Sequence, residues 1–146
     1  MSLEAYLQLL GEQIEKNLLI NELARRGRDA IAAVDIAPVI EGDAIRKELM
    51  LQIRSLQSAM DHCLKILPDT FANLESPLKD KIIAANSRLH AIVRETVSID
   101  QQNQTRVREI RTALGEKLEG IGRGKRALSG YRAPAKKKPK LFDGQG

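Results

Sequence analysis

Residues 78–128 read LKDKIIAANSRLHAIVRETVSIDQQNQTRVREIRTALGEKLEGIGRGKRAL. A stripe runs through them at Leu78, Ile82, Ala85, Leu89, Ile92, Thr96, Ile99 and Asn103, with alternating steps of four and three. After Asn103 it shifts by one residue and resumes as Val107, Ile110, Leu114, Leu118, Ile121 and Leu128. A seven-residue repeat sustained this long specifies a long helix that buries one narrow seam against other helices. The expected fold is all-α: an antiparallel, coiled-coil-like bundle of three long helices over residues 1–130. A disordered basic tail is expected over 131–146, where Pro, Lys, Ala and Gly offer too little apolar surface to fold alone.

Ser76 and Pro77, a capping hydroxyl and then a proline at the first helical position, start this third helix. It runs to about Ser129, on the order of 80 Å at the helical rise. Upstream, a first helix is expected from Leu3 to Ala33. Its stripe is Leu3, Leu7, Leu10, Ile14 and Leu18, widening through Leu19, Ile20 and Leu23. Asp35 caps a short turn that holds Pro38 near its start, and Gly42 and Asp43 read as a stop followed by a new N-cap. The second helix then carries Ile45, Leu49, Ile53, Leu56, Met60, Cys63 and Leu67 on one face, and Pro68 ends it. Residues 69–75 form a connector. The first two helices measure only about 45–50 Å each on the same rise. The third must therefore overhang or break, and the polar run Asp100-Gln101-Gln102-Asn103-Gln104 is where a break is expected.

The chain has 146 residues, 42% of them apolar, no Trp, and only two Tyr and two Phe. Aliphatic seams between helices suit this composition better than the aromatic cores of sandwiches and barrels. No apolar run is long enough to span a bilayer, so no membrane insertion is expected. Met1-Ser2-Leu3-Glu4 has neither the basic start nor the apolar stretch of a signal peptide. A lone Cys63 suits a reducing compartment. The expected location is cytoplasmic. Net charge is +5, yet residues 120–140 hold eight Lys and Arg and no acid, leaving 16 basic against 19 acidic residues elsewhere. Basic character belongs to the C-terminal region, and the rest is mildly acidic.

Chemistry-bearing motifs are few. Gly120-Ile121-Gly122-Arg123-Gly124-Lys125 resembles a phosphate loop superficially. However, Arg126 stands where a Walker loop needs Ser or Thr, Glu119 replaces its first glycine, and no strand precedes it. Those glycines cost roughly 1 kcal/mol each in a helix and are expected to loosen its last turns. His62 and Cys63 are adjacent and diverge on a helix, and His90 has no partner at metal-ligand spacing. Cys63 reads as a small buried hydrophobe. No Glu-x-x-His pair exists for a di-iron bundle, and no nucleophile, base and orienting group can be assembled. The expectation is a non-enzyme with no cofactor, no metal and no catalytic residues. Asn103 on the seam fixes helix register, or else marks where the seam opens toward another chain. Tyr131 and Phe142 flank Lys136-Lys137-Lys138-Pro139-Lys140, and aromatics beside basic residues are common interface anchors.

Several segments together resemble the FlgN family of flagellar type III export chaperones. They are the leucine seam of the first helix, Ala33-Val34-Asp35 leading into a short turn, and Arg46-Lys47-Glu48-Leu49 on the second helix. The others are Ile99-Asp100-Gln101-Gln102-Asn103-Gln104, and Gly124-Lys125-Arg126-Ala127-Leu128 leading to Gly130-Tyr131. The resemblance implies a cytoplasmic helical protein that binds hook-filament junction proteins and delivers them to the export apparatus. It implies a cargo-binding face of Asn103, Val107, Ile110, Leu114, Leu118 and Ile121. Docking to the export gate would fall to Arg126, Tyr131 and Arg132. Filament-cap chaperones share the helical-hairpin plan and are an alternative. A nucleic-acid-associated coiled coil acting through its basic tail is another, although nucleic acid is not the expected partner. Homodimerisation through the seam is a third.

Overall fold

The computed structural model describes residues 2–66 and 77–131. Three helices account for nearly all of them: α1 (Leu3–Ala32), α2 (Ala37–Ile66) and α3 (Pro77–Tyr131). Among the described residues there is no strand. The expected connector, the Ser76 cap, Pro68 and the tail lie outside the described residues. The chain divides into two units, Met1–Arg106 and Val107–Gly146.

Local chemistry sets the helix ends of the first unit. Ser2 has extended backbone, and its Oγ accepts the Ala5 N–H at 3.1 Å, which caps α1. At the other end Asp35 N–H donates to Ala30 O at 2.9 Å and Val34 N–H donates to Ile31 O at 3.0 Å. That pair of bonds is a Schellman closure, and it places Val34 at φ 55, a left-handed conformation usually left to glycine. Asp35 Oδ1 then accepts the Ala37 N–H and opens α2, with Pro38 in its first turn. The short separate turn expected after Asp35 is absent, and Asp35 opens the whole of α2 instead.

Gly42 and Asp43 do not stop the chain. α2 passes through them unbroken, and Gly42 is buried. A Cβ there would lie 3.9 Å from Leu23 Cδ2 of α1. The glycine marks a close helix approach, and packing outweighs the local cost of glycine in a helix.

Leu23 beside Gly42, and the Gln13 amide donating to Gln57 Oε1 at 3.0 Å, run α2 antiparallel to α1. Asn21 Nδ2 donates to Thr96 Oγ1 at 3.0 Å and Asn103 Nδ2 donates to Ala24 O at 3.1 Å, so the corresponding part of α3 runs alongside α1 in the same direction. Up-down-up connectivity is the antiparallel three-helix bundle the periodicity implied. Leu3, Tyr6, Leu10, Met60, Cys63 and Ile82 form its core, with Leu7, Leu9, Leu78, Ala85 and Leu89 packed around them. Cys63 is 1% exposed, a buried hydrophobe as read from sequence. Burial pushes the Tyr6 phenol above its ordinary value, with Asp61 and Cys63 adding to the shift.

Three stripe positions are corrected. Leu18 and Leu19 are 40% and 47% exposed, while Gln13 and Asn21 of the same helix are buried. Ile45 of α2 is also exposed. The buried face of α1 runs through Tyr6, Leu10, Gln13, Ile20, Asn21, Ala24 and Gly27. It uses small and amide residues where helices approach closely, so an apolar-only pattern finds Leu3, Leu10, Ile14 and Ile20 but misses Gln13 and Asn21.

The expected break at residues 100–104 does not occur, because α3 is continuous. Asp100 and Asn103 turn toward the other helices, while Gln101, Gln102 and Gln104 are exposed. Asp100 receives both terminal N–H groups of Arg46, at 2.7 and 2.8 Å, in a paired fork that holds α2 against α3. Nearby, Glu95 pairs with Arg25, Arg25 Nε donates to Asn21 Oδ1, and Thr96 Oγ1 donates to Ile92 O. This chain, buried at Asn21 and Thr96 and exposed at Arg25 and Glu95, fixes the α1–α3 register. Thr96→Val removes the acceptor of a buried amide and is expected to cost about 1–3 kcal/mol in urea unfolding. Pairing it with Asn21→Leu should recover part of that loss, because the orphaned amide goes as well. A double variant as unstable as the sum of the singles would show that the network plays no such role.

Candidate functional site

In the second unit α3 continues from Val107 to Tyr131 through Gly115, Gly120, Gly122, Gly124 and Gly130. The glycines do not end the helix, and Tyr131 is its last residue rather than lying beyond it. Added Cβ atoms at Gly115, Gly120 and Gly124 would meet nothing within 4 Å, so these glycines do not serve close packing. With no side chain, they leave the helix backbone less constrained than alanine would.

The stripe foreseen in the sequence lies along this helix. Val107 and Ile110 are half-buried. Leu114, Leu118, Ile121 and Leu128 are 54%, 68%, 56% and 62% exposed, more open than any seam residue upstream of Asn103. At 3.6 residues per turn all six fall within about 40° of the Leu114 direction, forming one apolar ridge that Lys125 interrupts between Ile121 and Leu128. Such a row of bulky aliphatics facing water is costly unless something covers it. Covering the four exposed side chains is worth on the order of 5 kcal/mol before ordering costs. Between residues 107 and 131 there is no His, Cys or Asp. Apolar area is what this face offers.

The remaining site candidates are placed differently. Asn103 belongs to the bundle seam. Its amide is committed to Ala24 O, and it sits 3.7 Å from where a Gly27 Cβ would be. That geometry supports its register role and takes it out of the ridge. Arg126 is exposed on α3. Tyr131 ends the helix, and Arg132 lies outside the described residues.

Sequence reasoning left out two features. Leu128 extends the ridge, although the cargo-binding set stopped at Ile121. A shallow groove of about 500 Å³ runs along α2, lined by Asp43, Arg46, Lys47, Met50, Leu51 and Arg54. Met50 and Leu51 lie off the seam, so a pattern reading that seeks one apolar face passes over them. Among the described residues no group of three or more His, Cys, Asp and Glu is placed to hold a metal ion. None of their helices is long and apolar enough to cross a membrane. No protein-family model, no curated protein and no solved structure matches the chain.

Proposed function

We propose that the protein is a flagellar export chaperone that holds hook-filament junction proteins and hands them to the type III export apparatus. The observation carrying this reading is the exposed ridge Leu114, Leu118, Ile121 and Leu128 on a long helix otherwise rich in charge. A ridge of that kind suits a non-catalytic protein that shields an amphipathic segment of another chain, in the manner of helix-in-groove recognition. The segments resembling the FlgN family supply the flagellar context and the cytoplasmic location. Cargo sits on Val107, Ile110, Leu114, Leu118 and Ile121, extended by Leu128. Asn103 stays with the bundle.

Delivery uses a second site at Arg126, Tyr131 and Arg132. The tyrosine ring provides an apolar anchor worth about 1–3 kcal/mol on burial, and the arginines add charge-assisted hydrogen bonds. Titration calorimetry of the full chain with the hook-filament junction proteins of the same genome tests the cargo assignment. Micromolar or tighter binding is expected, and binding only to a filament-cap protein would reassign the cargo. Tyr131→Ala should then impair secretion in cells while cargo affinity stays near wild type. Equal loss of both would leave one site, not two.

A further inference from the structure

We infer that the segment held on the Leu114–Leu128 ridge is an acidic amphipathic helix, one whose apolar stripe is bordered by Asp or Glu. The inference rests on the reading of the ridge as a cargo face and specifies the chemistry of what it takes. The warrant is the distribution of charge around α3. Arg111, Lys117 and Lys125 all fall within about 60° of the Leu114 direction, and all three are exposed. Glu109, Glu116 and Glu119 lie about 140° or more away, on the opposite face of the helix. Arg108, Arg123 and Arg126 occupy the remaining sides and back. Arg111 and Lys117 therefore border the ridge with a cation on either side, and Glu109, Glu116 and Glu119 stand on the opposite face of the helix.

That rim selects among occupants. A second copy of the same ridge would set cation against cation in either direction, and like charges across an interface are costly. The chain's own residues 132–146 carry Arg132, Lys136, Lys137, Lys138 and Lys140 against the single acid Asp143. They have the wrong sign to lie along it. Nucleic acid has the right sign, but residues 107–130 contain no aromatic side chain to stack a base, and phosphates would leave the aliphatic ridge wet. An amphipathic helix with carboxylates beside its apolar stripe satisfies both ridge and rim.

The experiment uses the full chain and two synthetic helical peptides with the same apolar face, one flanked by Glu and one by Lys. Binding is followed by fluorescence anisotropy at low and at high salt. The Glu-flanked peptide is expected to bind about tenfold or more tightly than the Lys-flanked one, with the gap narrowing as salt rises. Arg111→Glu combined with Lys117→Glu should reverse the preference, a gain of binding for the Lys-flanked peptide that misfolding cannot imitate. Equal binding of the two peptides overturns the inference. So does displacement of the Glu-flanked peptide by a single-stranded oligonucleotide at comparable concentration. If the junction proteins bind but neither peptide does, the cargo reading stands and the acidic-helix class falls. If the Glu-flanked peptide binds with the expected selectivity while the junction proteins do not, the inference stands and the flagellar cargo assignment falls.

Discussion

Replacing Leu114 and Leu118 together by Asp is expected to weaken cargo binding by about a hundredfold or more while leaving helicity and melting near wild type. Each leucine forfeits about 1.5–3 kcal/mol of burial in the complex, and each new carboxylate must be desolvated or must hold the partner away. The free protein loses little, because these side chains are 54% and 68% exposed in it. Calorimetric titration and thermal melting by circular dichroism read the two halves of this expectation. Ile110 is the weaker choice for the same test, since it is half-buried before any partner arrives. A collapse of the fold in the double variant would make the ridge ordinary core.

Ile82→Ala should behave in the opposite way. Ile82 is 1% exposed and joins Leu10, Met60 and Cys63 at the meeting point of all three helices. Truncation there removes transfer energy and leaves a cavity, for a loss of about 2–5 kcal/mol. The melting temperature should fall on the order of 10 °C. Cargo affinity, measured well below that midpoint, should hardly change. The two variants together separate the part of α3 that makes the bundle from the part offered to a partner. An Ile82→Ala protein that melts normally would contradict the assigned core.

The seam of α3 was the most legible part of the sequence. Ile82, Ile92, Thr96 and Ile99 are all buried, at the spacing the heptads required. Legibility failed where helices come close. Gly42 carries a local stop signal, but a helix packed against Leu23 overrides it. Gln13 and Asn21 have no place in an apolar stripe, yet each has a partner across the bundle, Gln57 and Thr96. Once those amides occupy the inner face, Leu18 and Leu19 are turned outward. The run at 100–104 looked like a break for the same reason. Its Asp100 is spoken for by Arg46, 54 positions earlier, and no local pattern announces such a pair. The ridge itself was legible as a stripe from Val107 to Leu128. Its openness followed from length, since a third helix of this size must overhang the first two or break, whereas periodicity tells only which residues share a face.

Amide hydrogen exchange of the full chain, alone and saturated with a hook-filament junction protein, tests the central claim most directly. Glycines at 115, 120, 122 and 124 weaken the helix along the ridge, so its amides should exchange faster than those of α1 when the protein is free. Cargo should slow exchange most strongly over residues 107–128 and leave the amides around Leu10, Cys63 and Ile82 almost unchanged. Protection gained instead along the α2 groove at Lys47, Met50, Leu51 and Arg54, with residues 107–128 unaffected, would contradict the claim that this ridge is the binding face.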